Sequence, residues 1–260
     1  MKYYVVADVH GFYSELITAL TEKGFFKDSE PHKLIVCGDL FDRGEEAVKL
    51  QDFIVDLMEK EEVILIRGNH EDLALELIKN IHRWMTPTIL YTHHWSNGTV
   101  ETVLQLTGMT LNEAYTIPEK CAVRIENTPF FKKIIPTMVD YFETKNYIFV
   151  HGWIPCDALG YGGKASMFIY KENWREMGAI DWNYARWYNG MEAARQNVIE
   201  KNKTIVCGHW HCSYGHAKIE GEGEEHGEYA DYSPYYGKGI IALDACTVLS
   251  KKVNCIIIED

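Results

Sequence analysis

Short continuous apolar runs alternate with amphipathic stretches through the first third of the chain. Residues 3–7, 33–37 and 63–66 are brief, rich in β-branched side chains and bounded by turn residues, the pattern of buried strands. Between them Leu16, Ile17 and Leu20 recur at helical spacing, as do Ala47, Val48, Leu50, Phe53, Ile54, Leu57 and Met58. This alternation predicts parallel strands joined by right-handed helical crossovers. From about 73 to 145 the pattern turns helical, with stretches at 73–85, 99–106, 111–115 and 118–134, the last interrupted at Pro129. No strand signal stands out there, so the block predicts a helical cap. Residues 147–150 and 204–207 resume the strand pattern, and 239–243 with 253–258 read as a closing antiparallel pair. The stretch 220–236, rich in Gly, Glu and Tyr, reads as a flexible surface loop. Without a repeat or a Pro/Ser linker, 1–260 reads as one domain.

Composition narrows the function classes. An apolar fraction of 47% and a charged fraction of 25% are those of an ordinary globular protein. The net charge of −12 argues against a nucleic-acid partner. No run reaches the 18 or so apolar residues of a membrane span, so no membrane partner is expected. Met1-Lys2-Tyr3 leads straight into a strand, and no signal peptide is expected. The seven cysteines are scattered and contain no Cys-x-x-Cys, which predicts a reduced, cytoplasmic protein with no catalytic cysteine.

The chemistry sits where the strands stop. Asp8/His10, Asp39/Asp42/Arg43, Asn69/His70, His151 and His209/His211 each follow a β-rich apolar run. One such residue is ordinarily a turn residue; five strand ends that all deliver polar donors are hard to explain that way. The donors are oxygen and imidazole nitrogen with no thiolate, a set suited to manganese, iron or zinc. Within Gly38-Asp39-Leu40-Phe41-Asp42-Arg43-Gly44 a carboxylate can bridge two metal ions and an arginine can grip a phosphate bidentately.

The series Asp8-x-His10, Gly38-Asp39-x-x-Asp42-Arg43-Gly44, Gly68-Asn69-His70-Glu71, His151-Gly152 and Gly208-His209-x-His211 resembles the calcineurin-like metallophosphoesterases. Within them it is similar to the bacterial and phage phosphoprotein phosphatases. The resemblance implies an α/β fold of two facing mixed β-sheets flanked by α-helices, with the cap at about 73–145 as an insertion. It implies two divalent or trivalent metal ions (Mn, Fe or Zn), with Asp39 bridging them. Asp8 and His10 would hold one ion, and Asn69, His151 and His209 the other. His70 would be the general acid, oriented by Asp42, and Arg43 would bind phosphate alongside Asn69. A metal-bridging hydroxide would then attack phosphorus in line.

Two positions depart from the phosphoprotein phosphatase pattern. His211 belongs to the broader superfamily, and stands either as a further ligand or outside the first coordination shell. Arg186, in Asp181-Trp182-Asn183-Tyr184-Ala185-Arg186-Trp187, is the candidate second phosphate-binding arginine, against a packing role between Trp182 and Trp187. His82, His93 and His94 lie in the cap and read as surface or packing residues. The expected function is phosphomonoester hydrolysis, most simply of serine/threonine phosphoprotein. The alternative is a diadenosine tetraphosphate hydrolase or another small-molecule phosphoesterase. A phosphate-binding module without catalysis would lack a ligand or His70, and here every core position is filled.

Overall fold

Along β1 (Lys2–Val6) and β2 (His32–Cys37) consecutive side chains leave the sheet on opposite faces. Tyr4, Val6, Leu34 and Val36 join Leu16 and Leu20 of α1 (Tyr13–Lys23) and Leu50 and Ile54 of α2 (Ala47–Glu59) in one core. Tyr3, Val5, Ile35 and Cys37 face the other way and meet Phe149, Val206 and Leu243 of a second sheet. With both faces buried, these strands read as continuous apolar runs rather than alternating ones.

The computed structural model describes residues 1–160 and 167–260. Its first sheet has the order β11-β1-β2-β3, with β3 at Val63–Ile66 and β11 at Cys255–Glu259. β1, β2 and β3 are parallel, and β11 runs antiparallel to β1. The second sheet has the order β4-β5-β8-β10-β9, built from Phe142–Glu143, Tyr147–Phe149, Thr204–Cys207, Ile240–Ala242 and Tyr235–Gly237 respectively. β6 (Asp157–Leu159) and β7 (Met167–Ile169) pair separately. Trp153, Trp174, Trp182 and Met191 cover the outer face of the second sheet. The result is the expected arrangement of helix, sheet, sheet and helix, and two facing mixed sheets. Among the described residues no helix is long and apolar enough to cross a membrane.

The segment between the sheets is helical as expected, with helices at Thr99–Thr107, Leu111–Thr116 and Pro118–Glu126 and a π-helical turn at Phe130–Ile134 after Pro129. Three details differ from the sequence reading. First, α3 (Asn69–Lys79) starts at Asn69 rather than Leu73, because the Glu71 carboxylate turns back to accept the Gly68 amide at 2.7 Å. Second, the block ends in extended chain: Val139 bridges to Ile66 and β4 follows at Phe142–Glu143. Third, the closing strands do not pair with each other. β10 lies between β8 and β9, whereas β11 covers the open edge of β1. The helical turn Thr247–Ser250, flanked by Cys246 and Lys251 at φ 49° and 54°, carries the chain from one sheet to the other, so no hairpin can form.

Phe149 is fully buried in the layer both sheets share. Phe149→Ala is expected to cost about 3–5 kcal/mol, read as a lower urea midpoint with an unchanged slope. A loss below about 1 kcal/mol would show that the layer collapses around the deletion.

Candidate active site

Each strand end turns through an unusual backbone. Asp8 and His10 follow β1 with φ of 51° and 50°, Asp39, Asp42 and Arg43 follow β2 at 50°, 75° and 66°, and His209 follows β8 at 68°. Left-handed conformations are costly for residues with a side chain. Here they occur together, at the edge where the two sheets meet.

Asp39 occupies the middle. Its Oδ2 lies 3.7 Å from His10 Nε2 and 3.8 Å from His70 Nε2. Its Oδ1 lies 3.3 Å from His151 Nε2 and accepts the His70 amide at 3.0 Å. Two donor groups result, His10/Asp39/His70 and Asp39/His151/His209, each with its ligand atoms within 4.8 Å of one another. Asn69 Oδ1 meets His151 Nε2 at 2.8 Å. Asp8 accepts the His209 amide on both oxygens, at 3.1 and 2.9 Å. All of these side chains except His209, which is partly exposed, are buried.

The donor chemistry and the shape both fit metal ions. His10 Nδ1 lies 3.0 Å from the Phe41 carbonyl and His151 Nδ1 lies 2.9 Å from that of Cys37. A carbonyl only accepts, so each Nδ1 must carry the proton, and both rings turn Nε2 toward Asp39. Burial, together with Arg43 and His70, holds His10 well below the usual imidazole range. Burial and His151 push His209 down to about 3. Burial opposes charge on His151, but the Asp39 carboxylate outweighs it and lifts that ring to about 10. Gly208 leaves room for the cradle, since a methyl there would overlap Asp8 Oδ2.

Beside this cluster stands a dyad. His70 Nδ1 donates to Asp42 Oδ2 at 2.8 Å, and the same oxygen accepts the Thr99 hydroxyl at 2.7 Å. Arg43 Nη2 reaches His70 Nε2 at 3.1 Å.

Two expected residues are placed elsewhere. His211 Nε2 meets Glu225 Oε1 at 3.3 Å and groups with Glu225 and His226 rather than with Asp39. Arg186 is buried, with its two terminal nitrogens on Asp72 and Asp140. A guanidinium bound to two carboxylates is not presented to a phosphate, and the sandwich between tryptophans is absent too, because Trp182 stacks on Tyr141 and Trp187 stands edge-on to His209.

Four residues contribute in ways to which the sequence reading assigned no role. Glu71 accepts the amides of Gly68, Asp39 and Leu40, at 2.7, 3.1 and 3.0 Å, and burial followed by Asp39 raises it to about 7. Thr99 and Thr102 hold Asp42 from the cap, Thr102 accepting its amide at 3.0 Å. Asp244 is buried just past β10, where burial raises it against the opposing pull of the Cys246 amide, His211 and Arg43. Glu71 had a sequence signal as the last residue of Gly68-Asn69-His70-Glu71, and Asp244 as a carboxylate one residue beyond an apolar strand.

The sequence profile of the calcineurin-like phosphoesterases matches residues 1–213. Among known proteins, the chain is similar to the asymmetrical bis(5'-nucleosyl)-tetraphosphatase PrpE of Bacillus velezensis, 24% identical over 176 residues, which are 65% of this chain and 64% of that protein. The chain thus spans a little under two thirds of that relative's length. Among solved structures, a cold-active protein tyrosine phosphatase superposes with a TM-score of 0.52 at 17% identity, covering 99% of this chain and 73% of the other. A protein serine/threonine phosphatase from Saccharomyces cerevisiae gives 0.50 at 12% identity, covering 100% and 80%. These superpositions speak to the fold, and the profile, which spans every strand-end cluster from Asp8 to His211, shows the family: the chain belongs to the calcineurin-like phosphoesterases.

Proposed function

We propose that this protein hydrolyses phosphomonoesters, with serine/threonine phosphoprotein as the leading substrate class. The observation that carries the reading is His70, held between Asp42 and Arg43 at 2.8 and 3.1 Å next to Asp39. An alkoxide leaves poorly, so it must be protonated as its bond to phosphorus breaks. His70 would supply that proton from Nε2, while Asp42 accepts from Nδ1 and fixes the ring. Burial opposes charge on His70, but Asp39 and Asp42 outweigh it and raise the ring above its usual value, which favours the protonated acid. Arg43, exposed to solvent, would turn its guanidinium from His70 to the phosphate oxygens.

Asp8, His10 and Asp39 would hold one metal ion, and Asp39, Asn69, His151 and His209 the other. Support comes from Asp39 itself, whose two oxygens face different histidine sets. When bound, the ions supply the Lewis acidity that activates water and offsets charge on the phosphoryl group.

A second reading is favoured by the relatives, which are named bis(5'-nucleosyl)-tetraphosphatases. A phosphoanhydride releases a phosphate group that leaves readily, so this reaction asks less of His70.

Hydrolysis of p-nitrophenyl phosphate, a phosphoserine peptide and diadenosine tetraphosphate with manganese separates the two. We expect turnover of both monoesters. His70→Ala should lose about 10²–10⁴-fold on the phosphopeptide and markedly less on p-nitrophenyl phosphate, whose leaving group is better. Cleavage of the dinucleotide alone would replace the first reading with the second.

Chelation should abolish turnover and added manganese restore it. Asp39→Asn should bind less metal than wild type by elemental analysis, and equal content in that variant would remove Asp39 from the bridging position.

A further inference from the structure

A second set of metal-type donors lies in the helical cap, away from Asp39. Glu76, two turns along α3, places Oε2 3.3 Å from His93 Nε2 and 3.9 Å from His94 Nε2. All three ligand atoms lie within 4.8 Å of one another. In a tetrahedral zinc site with bonds of about 2.0–2.2 Å, neighbouring ligand atoms are about 3.3–3.6 Å apart. The Glu76–His93 spacing matches that edge length, and the Glu76–His94 spacing exceeds it by a few tenths of an ångström.

His94 adds a separate observation. Its side chain is fully buried, yet among the described residues neither ring nitrogen has a hydrogen-bond partner. Buried polar atoms are nearly always satisfied, and leaving one alone is costly. Burial and the adjacent His93 push His94 down to about 4, so at neutral pH the ring is uncharged and has a lone pair to give. Glu76 and His93 are about half exposed, which leaves a path for an ion and a fourth position for water. His94 Nδ1 would still lack the outer partner that ligating histidines usually have, which argues for moderate affinity.

We propose that Glu76, His93 and His94 form a third metal site, a structural one, binding a divalent transition ion such as zinc. The ion would tie two parts of the active-site wall together. α3 carries Asn69 and His70 in its first turn and Glu76 further along. The helical turn His93–Ser96 leads into Gly98, where a methyl would collide with the Arg43 backbone nitrogen and Cα. Fixing the turn to α3 would therefore set how closely the cap presses on Arg43.

The test uses the full chain, stripped with a chelator, reloaded with zinc and desalted. Zinc per chain is measured by elemental analysis for wild type, Glu76→Gln and His93→Ala. Both substitutions are at half-exposed positions, and circular dichroism checks that each variant is folded. Wild type should retain one equivalent more than either variant. Its Tm should also rise more on zinc addition. Equal zinc content in wild type and a folded variant overturns the proposal whatever the melting data show. If one variant fails to fold, the other decides.

Discussion

A single carboxylate joins the parts from which the site is built. Glu71 receives the amide hydrogens of Gly68, Asp39 and Leu40, and so links the turn after β2 to the first turn of α3. Without it three buried amides would lose their acceptor, and Asp39 and His70 would no longer be held in one frame. The His70 amide completes the loop by donating back to Asp39 Oδ1 at 3.0 Å. The positions of the donors around Asp39 thus depend on backbone hydrogen bonds as much as on the side chains themselves.

Burial then decides the charges. Asp8, Asp39, Asp42 and Glu71 are all buried, and burying carboxylates is tolerable only with cations or amide donors nearby. For Asp39, burial raises the pKa, but His151 and His70 outweigh it and keep the group ionised. Asp8 has weaker compensation; burial and Asp244 raise it well above the usual range. The energetic demand of this cluster is met by mutual pairing, and metal ions would meet it more fully.

Much of this was legible in the sequence, for a physical reason. A strand buried on both faces is a short apolar run, and a polar residue just after such a run has nowhere to go but the sheet edge. Asp39, His151 and His209 could be placed on that basis before any coordinates. What could not be read was which partner a long side chain chooses in space. Arg186 sits in a segment that resembles a phosphate-binding one, yet Asp72, far away in sequence, claims its guanidinium. His211 is one residue beyond Trp210 and turns to Glu225 instead. The register of the closing strands was equally hidden, because pairing 239–243 with 253–258 and sending them to separate sheets require the same apolar pattern.

The left-handed residues Asp8, His10, Asp39, Asp42, Arg43 and His209 have a bearing on how this protein can change. Each costs on the order of 1 kcal/mol or more relative to glycine in the same conformation, and a whole domain is stable by only about 5–15 kcal/mol. The edge of the sheets is therefore where the chain gives up stability for chemistry. Selection for thermal resistance alone would favour glycine at these positions, yielding tougher descendants that have lost the donors gathered around Asp39. Heat tolerance has to be sought elsewhere, in the helical layers far from the turns.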